Sequence, residues 1–172
     1  MGSACAISAA VFLRVDYLSR FNPGVTLPEV LVVIAVALAL ATAATPLAVS
    51  WRTGSELSAE TSSFVQALRR ARAQSVSRIS NQSHGVYLEI NPTGDDRYVV
   101  FQGASYASRD PAVDESVTLP STLTLMSTWP GNEVVFSRGL GLPSVTGVVT
   151  ITHAAGVTSN VSVVASGLIE IE

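Results

Sequence analysis

Residues 30–51 run for 22 positions without a charged side chain, and residues 30–41 contain no polar side chain at all. The hydrocarbon core of a bilayer, about 30 Å thick, is crossed by roughly 20 apolar residues in a helix. The run is therefore long enough to span. One carboxylate, Glu29, stands at its lip. An acid at the end of a membrane helix is costly, and its presence there marks a candidate functional residue.

The residues before the run read as an opening rather than as part of the same helix. Pro23, Gly24 and Pro28 all fall within six positions. In a helix that begins near Val25, Pro28 removes a donor from the first turn, where no intrahelical partner exists anyway. In a helix running back into residues 1–24, the same proline would be a break. Residues 1–24 are accordingly expected to be a processing segment, with a short apolar stretch (9–13) followed by Arg14 and Arg20. Two arginines ahead of the apolar run suit a cytoplasmic N-terminus. A second reading stays open. Ala39-Leu40-Ala41 and Ala41-Thr42-Ala43 are small-x-small sites behind an apolar core, as in a secretory signal peptide that would release a chain starting near Ala44.

The chain has 172 residues, which suits one domain plus a membrane helix. Its ten basic residues are all Arg, and its single cysteine, Cys5, lies in the processing segment. Without residues 1–24 the formal charge is −4, and no disulfide, Cys-ligated metal or Cys nucleophile is available.

Past Pro46, which is expected to kink the helix, the pattern becomes amphipathic. Leu57, Phe64, Leu68, Ala71 and Ile79 recur at helical spacing on one stripe. The helix should end where Asn, Ser and Gly cluster, at 81–85. From 84 onward, short runs rich in Val, Ile and Thr alternate with Gly, Pro and Ser. Strands are expected at 86–90, 98–101, 117–119, 123–126, 133–137, 147–152, 161–165 and 168–171, with a loop at 103–116. The expected fold class is α+β: a long N-terminal helix packed on an antiparallel β-sheet or sandwich head. The organisation is 1–24 leader, 25–50 membrane or filament-core helix, 51–83 amphipathic helix and 84–172 head.

A cut between Gly24 and Val25 would make Glu29 the fifth residue and Pro46 the twenty-second of the processed chain. Gly24-Val25-Thr26-Leu27-Pro28-Glu29 followed by an apolar run resembles the N-terminus of type IV prepilins and type II secretion pseudopilins. It departs from their pattern at Val25, where Phe is usual, and at Pro28, where Ile, Leu or Met is common. The head is similar to the GspH/FimT family of minor pseudopilins and minor pilins, through Ala67-Leu68-Arg69-Arg70-Ala71-Arg72-Ala73, Phe136-Ser137-Arg138-Gly139 and the closing strand–Gly167–strand. The resemblance implies several things. Prepilin peptidase would cut after Gly24 and the Val25 amine would be methylated. Glu29 would meet the N-terminal amine of a neighbouring subunit. The product would be a subunit of a secretion pseudopilus or of a type IV pilus, built at an inner-membrane assembly platform from other pilin or pseudopilin subunits, with its head in the periplasm. The rival is a signal-anchored or secreted β-domain.

Some proteins in this resemblance group bind DNA, but a nucleic-acid surface needs a basic face. From 84 onward three arginines stand against nine acids, a formal charge of −6. Arg69, Arg70, Arg72 and Arg78 form the one basic cluster and are spread around the helix. Nucleic acid is not an expected partner. Nor is catalysis expected. His84 and His153, the only histidines, fall at a junction and a turn, where exposure is expected, and neither has metal-ligand spacing. Asp95-Asp96 reads as an acidic hairpin turn and Gly139-Leu140-Gly141 as a turn. No cofactor, metal or catalytic residue is assigned.

Overall fold

The computed structural model describes residues 24–172, with backbone only for 42–50. The leader assigned to 1–24, apart from Gly24, therefore lies outside the described residues, while helix α1 runs on through Pro46, where a kink is expected. The chain divides into two compact units at Ala43/Ala44. The first consists of the opening of helix α1 (Leu27–Val76). The second holds the rest of α1 and eight strands: β1 (His84–Glu89), β2 (Arg97–Gln102), β3 (Glu115–Thr118), β4 (Leu123–Ser127), β5 (Glu133–Phe136), β6 (Gly147–His153), β7 (Thr158–Val163) and β8 (Ile169–Ile171).

These strands form two four-stranded sheets, ordered β3-β2-β1-β5 and β4-β6-β7-β8, with every pairing antiparallel. Period-2 alternation fixes the register. Val86 lies opposite both Val100 and Val134, which sets three β-branched side chains side by side on the core face. In the second sheet Val149 lies opposite Val161 and Ile151 opposite Ser159. The core gathers Leu57, Phe64, Leu68 and Ala71 from α1, Val86, Leu88, Tyr98, Val100, Val134 and Phe136 from the first sheet, and Leu123, Leu125, Val149, Ile151, Val161 and Val163 from the second. Phe64 sits at its centre, edge-on to Tyr98 at 5.2 Å and 6.4 Å from Trp129. The α+β class, with a helix packed on antiparallel sheets, is as expected, and all eight expected strands are present within a few residues of their expected bounds.

Two local expectations are corrected. The helix ends at Val76, before the Asn/Gly cluster, and Ile79 is 48% exposed rather than part of the stripe. The cause is a tight return of the chain. The buried hydroxyl of Ser75 accepts a hydrogen bond from the backbone N–H of His84 at 2.8 Å, so the segment between them must reverse within eight residues. Arg78, Ser80 and Asn81 take left-handed conformations to do so (φ 54, 53 and 55°), each at an expense of about 1 kcal/mol or more. The stripe is instead continued by polar residues, Thr53, Thr61 and Ser75, all buried.

The second correction concerns 103–116. This stretch carries two short 3₁₀ turns, Tyr106–Ser108 and Pro111–Val113, and its end belongs to β3. It covers the outer face of the first sheet. Tyr106 stacks on Tyr87 at 3.8 Å, and the Arg109 guanidinium lies 3.6 Å from the centre of the Tyr106 ring. Beneath them Phe101 crosses Gly85 so closely that a Cβ there would fall 2.6 Å from the ring, which is why glycine occupies that point of β1.

Candidate functional site

Helix α1 begins with the Thr26 carbonyl accepting from the N–H groups of Glu29 (3.0 Å) and Val30 (3.2 Å). Pro28 stands in this first turn, where its missing donor breaks no ladder bond. Glu29 is the acid of the first turn, where the positive end of the helix dipole favours a carboxylate by about 0.3–1 kcal/mol. At Gly24 an added Cβ would meet nothing within 4 Å, so no packing contact among the described residues explains a glycine there.

The side chains that follow are exposed on every side of the helix. Residues 30–34 occupy five successive positions, more than a full turn, and their exposure runs from 43% at Val30 to 62% at Val32 and Val33. A helix apolar all round is one that other helices or lipid must cover, and a continuous apolar surface of this kind marks an interaction site. Among the described residues no helix is long and apolar enough to cross a membrane. The fully described part of the run stops at Ala41, and the side chains of 42–50, which complete it, lie outside.

Several charged residues of the second unit tie its elements together. Arg70 pairs with Glu115 at 2.6 Å, Arg72 donates to the carbonyls of Gly141 (3.2 Å) and Ser166 (3.1 Å), and Arg69 reaches the Ile169 carbonyl at 3.5 Å. Three of the four clustered arginines thus tie α1 to strand-end loops, β3 and β8, which argues against a phosphate-binding groove. Asp96 is no exposed turn acid: it is 4% exposed. Its carboxylate accepts from the backbone of Asn91 (2.7 Å) in the β1–β2 turn and of Leu125 (2.6 Å) in β4, joining the two sheets. The Gly139-Leu140-Gly141 turn is as expected, with both glycines left-handed (φ 83 and 65°).

The two histidines are buried, contrary to the expectation of exposure, because each sits at a strand end covered by α1. His153 closes β6. Its Nδ1 accepts from the Ala155 N–H at 3.0 Å, and its Nε2 lies 3.6 Å from Glu56, which also accepts from the Thr122 hydroxyl at 2.7 Å. His84 opens β1 beneath the end of the helix. Burial holds its pKa below the ordinary histidine value, while a hydrogen bond with the Gln102 side chain pulls the other way. Because the folded-state pKa is depressed, the neutral ring's stabilising contribution is complete above about 6.5 and is lost as pH falls through the folded pKa. Thermal unfolding measured from pH 8 to 5 should show a loss of stability below about pH 6.5 that shrinks in His84→Asn; equal losses in the two proteins would show that His84 is not its source. Among the described residues no group of three or more His, Cys, Asp or Glu is placed to hold a metal ion.

No family model matches the sequence, and no curated protein does. Among solved structures, the chain is similar to the crystal structure of the type IV minor pilin FimU of Pseudomonas aeruginosa (strain PAO1), with a TM-score of 0.53, 16% identity, and coverage of 71% of this chain and 92% of that one. At that identity the likeness establishes a shared fold.

Proposed function

We propose that this chain is a minor subunit of a periplasmic pilin-like filament, cut by prepilin peptidase between Gly24 and Val25 and assembled through its N-terminal helix. The carrying observation is a helix with exposed apolar side chains on every side and one acid in its first turn, in a chain whose fold is similar to that of a minor pilin. Before assembly residues 25–47 hold the protein in the inner membrane, with the head in the periplasm. The assembly platform then draws the helix into contact with other subunits. A carboxylate removed from water is strongly penalised unless paired, and the amine of a neighbouring processed chain is the natural partner of Glu29. Correct axial register satisfies both charges; a wrong one strands them. Gly24 fits this reading as a peptidase recognition residue, since no packing contact among the described residues asks for it. The role is structural rather than enzymatic.

Two machines use such subunits. The GspH/FimT-like head motifs suit a type II secretion pseudopilus, and the likeness to a type IV minor pilin favours a type IV pilus as the second reading.

The deciding experiment is intact mass and N-terminal sequencing of the protein from its native membrane. The expected chain starts at Val25 and carries an added methyl group. A start near Ala44 would make it a secreted domain and end the filament reading.

A further inference from the structure

We infer that Trp51 and Arg52 form a membrane-interface anchor, seated in the phospholipid headgroup layer on the side of the head, which sets the depth of the N-terminal helix before assembly. This rests on the membrane reading above. Trp51 is 81% exposed, whereas the other tryptophan, Trp129, is buried in the core at 3%. Trp51 therefore presents its apolar body and polar edge outside its own fold.

Its position in the chain points to a partner. Trp51 is the last residue of the uncharged run, Arg52 is the first charge after it, and Thr53, 8% exposed, is the first residue of the buried stripe of the second unit. The pair therefore marks the point where the chain changes from residues suited to lipid to residues packed on the head. An indole is apolar in body with a donor at its edge, and tryptophan is enriched where hydrocarbon meets headgroups. A neighbouring arginine reaches lipid phosphates while its stem stays in the apolar layer.

Length agrees. A helix from Glu29 to Trp51 rises about 33 Å, slightly more than the roughly 30 Å hydrocarbon core and less than the 40–45 Å that includes both headgroup layers. In helical conformation the run is thus long enough for its two ends to lie in opposite headgroup layers. The acid then stays hydrated while the subunit waits in the membrane, and its desolvation is deferred to the moment a partner amine is present. Residues 30–41 contain no feature that would fix this depth, since their side chains are uniformly apolar.

The test uses the full processed chain in phosphatidylethanolamine/phosphatidylglycerol vesicles whose acyl chains carry bromine at shallow or deep positions. Trp129→Phe leaves Trp51 as the only tryptophan. The expected result is stronger quenching by shallow than by deep bromine, with little quenching by aqueous acrylamide. Dominant acrylamide quenching of vesicle-bound protein overturns the inference. If Trp129→Phe does not fold, the unsubstituted chain is compared with Trp51→Ala, whose site is exposed. Most of the bromine quenching should disappear, and unchanged quenching overturns the proposal. Protection of Trp51 that arises only on mixing with other filament subunits also overturns it, in favour of a protein contact. N-terminal sequencing of the same sample separates the two layers of argument. A start at Val25 with an aqueous Trp51 defeats this inference alone, and a start near Ala44 defeats the filament reading and this inference with it.

Discussion

On the proposed filament reading, Glu29→Ala is expected to remove the chain from filaments and to leave the head folded. In the assembled state this change strands a neighbouring amine without its counter-charge, and breaking a buried pair in this way carries a penalty of about 3–5 kcal/mol. That is about two to four orders of magnitude in an association constant. The head is expected to be indifferent, because Glu29 lies in the first turn of α1, in the other compact unit, where the dipole interaction it gives up is worth about 1 kcal/mol or less. The measurement is the fraction of protein recovered in sheared filaments against that left in the membrane, with circular dichroism of the head as control. Glu29→Gln should fail nearly as completely, since it keeps the shape and discards the charge; Glu29→Asp should recover part of the assembly. Normal incorporation of Glu29→Gln would reduce this acid to a helix-start preference.

Asp96→Ala destabilises the head by about 3 kcal/mol or more. Its carboxylate accepts two short hydrogen bonds, from Asn91 in the turn of one sheet and Leu125 in a strand of the other. Hydrogen bonds to a charged group contribute roughly 1.5–3 kcal/mol each, and the Leu125 donor is buried and would be left unpaired. Asp96→Asn should fall between, because an amide offers one acceptor and turns its donors toward the other N–H. Urea unfolding of the head checks this: both substitutions should lower the midpoint, Ala further. A change within about 0.5 kcal/mol, as at an ordinary surface position, would show that the two sheets are held together without this residue.

Legibility in the sequence followed the range of the forces involved. The β-strands were readable because a half-buried sheet imposes alternation over four to seven residues, as in Leu123-Thr124-Leu125-Met126, where Leu123 and Leu125 are buried and Thr124 and Met126 exposed. Phe64 and Leu68 were readable by the same logic at helical period. Asp96 was not, because the residue that makes its burial tolerable, Leu125, is 29 positions away and contributes only a backbone N–H, which every residue has. The helix end was misplaced for a similar reason. Local Asn and Gly pointed to 81–85, but the stop is fixed by Ser75 holding the backbone of His84, and a serine within a helix carries no signal of that contact. The expected exposure of the histidines failed because junctions and turns are exposed only when nothing crosses them, and here α1 does. At the N-terminal site the residues Gly24, Val25 and Glu29 lie close together in the chain, so the sequence alone supplies the hypothesis.

The helix is fastened to the head at two separated levels. Near one end Glu56 holds Thr122 and lies beside His153; near the other, the Ser75 carbonyl accepts from the Gly139 N–H at 2.9 Å while its hydroxyl holds His84. Arg70 and Arg72 add cross-ties between them. Tension applied along α1 from the N-terminal side would therefore load these attachments and the intervening core together, in shear, instead of peeling them apart one by one from an end. A domain fastened in this way resists force along α1 better than its modest individual hydrogen bonds suggest, a property that suits the filament role proposed above.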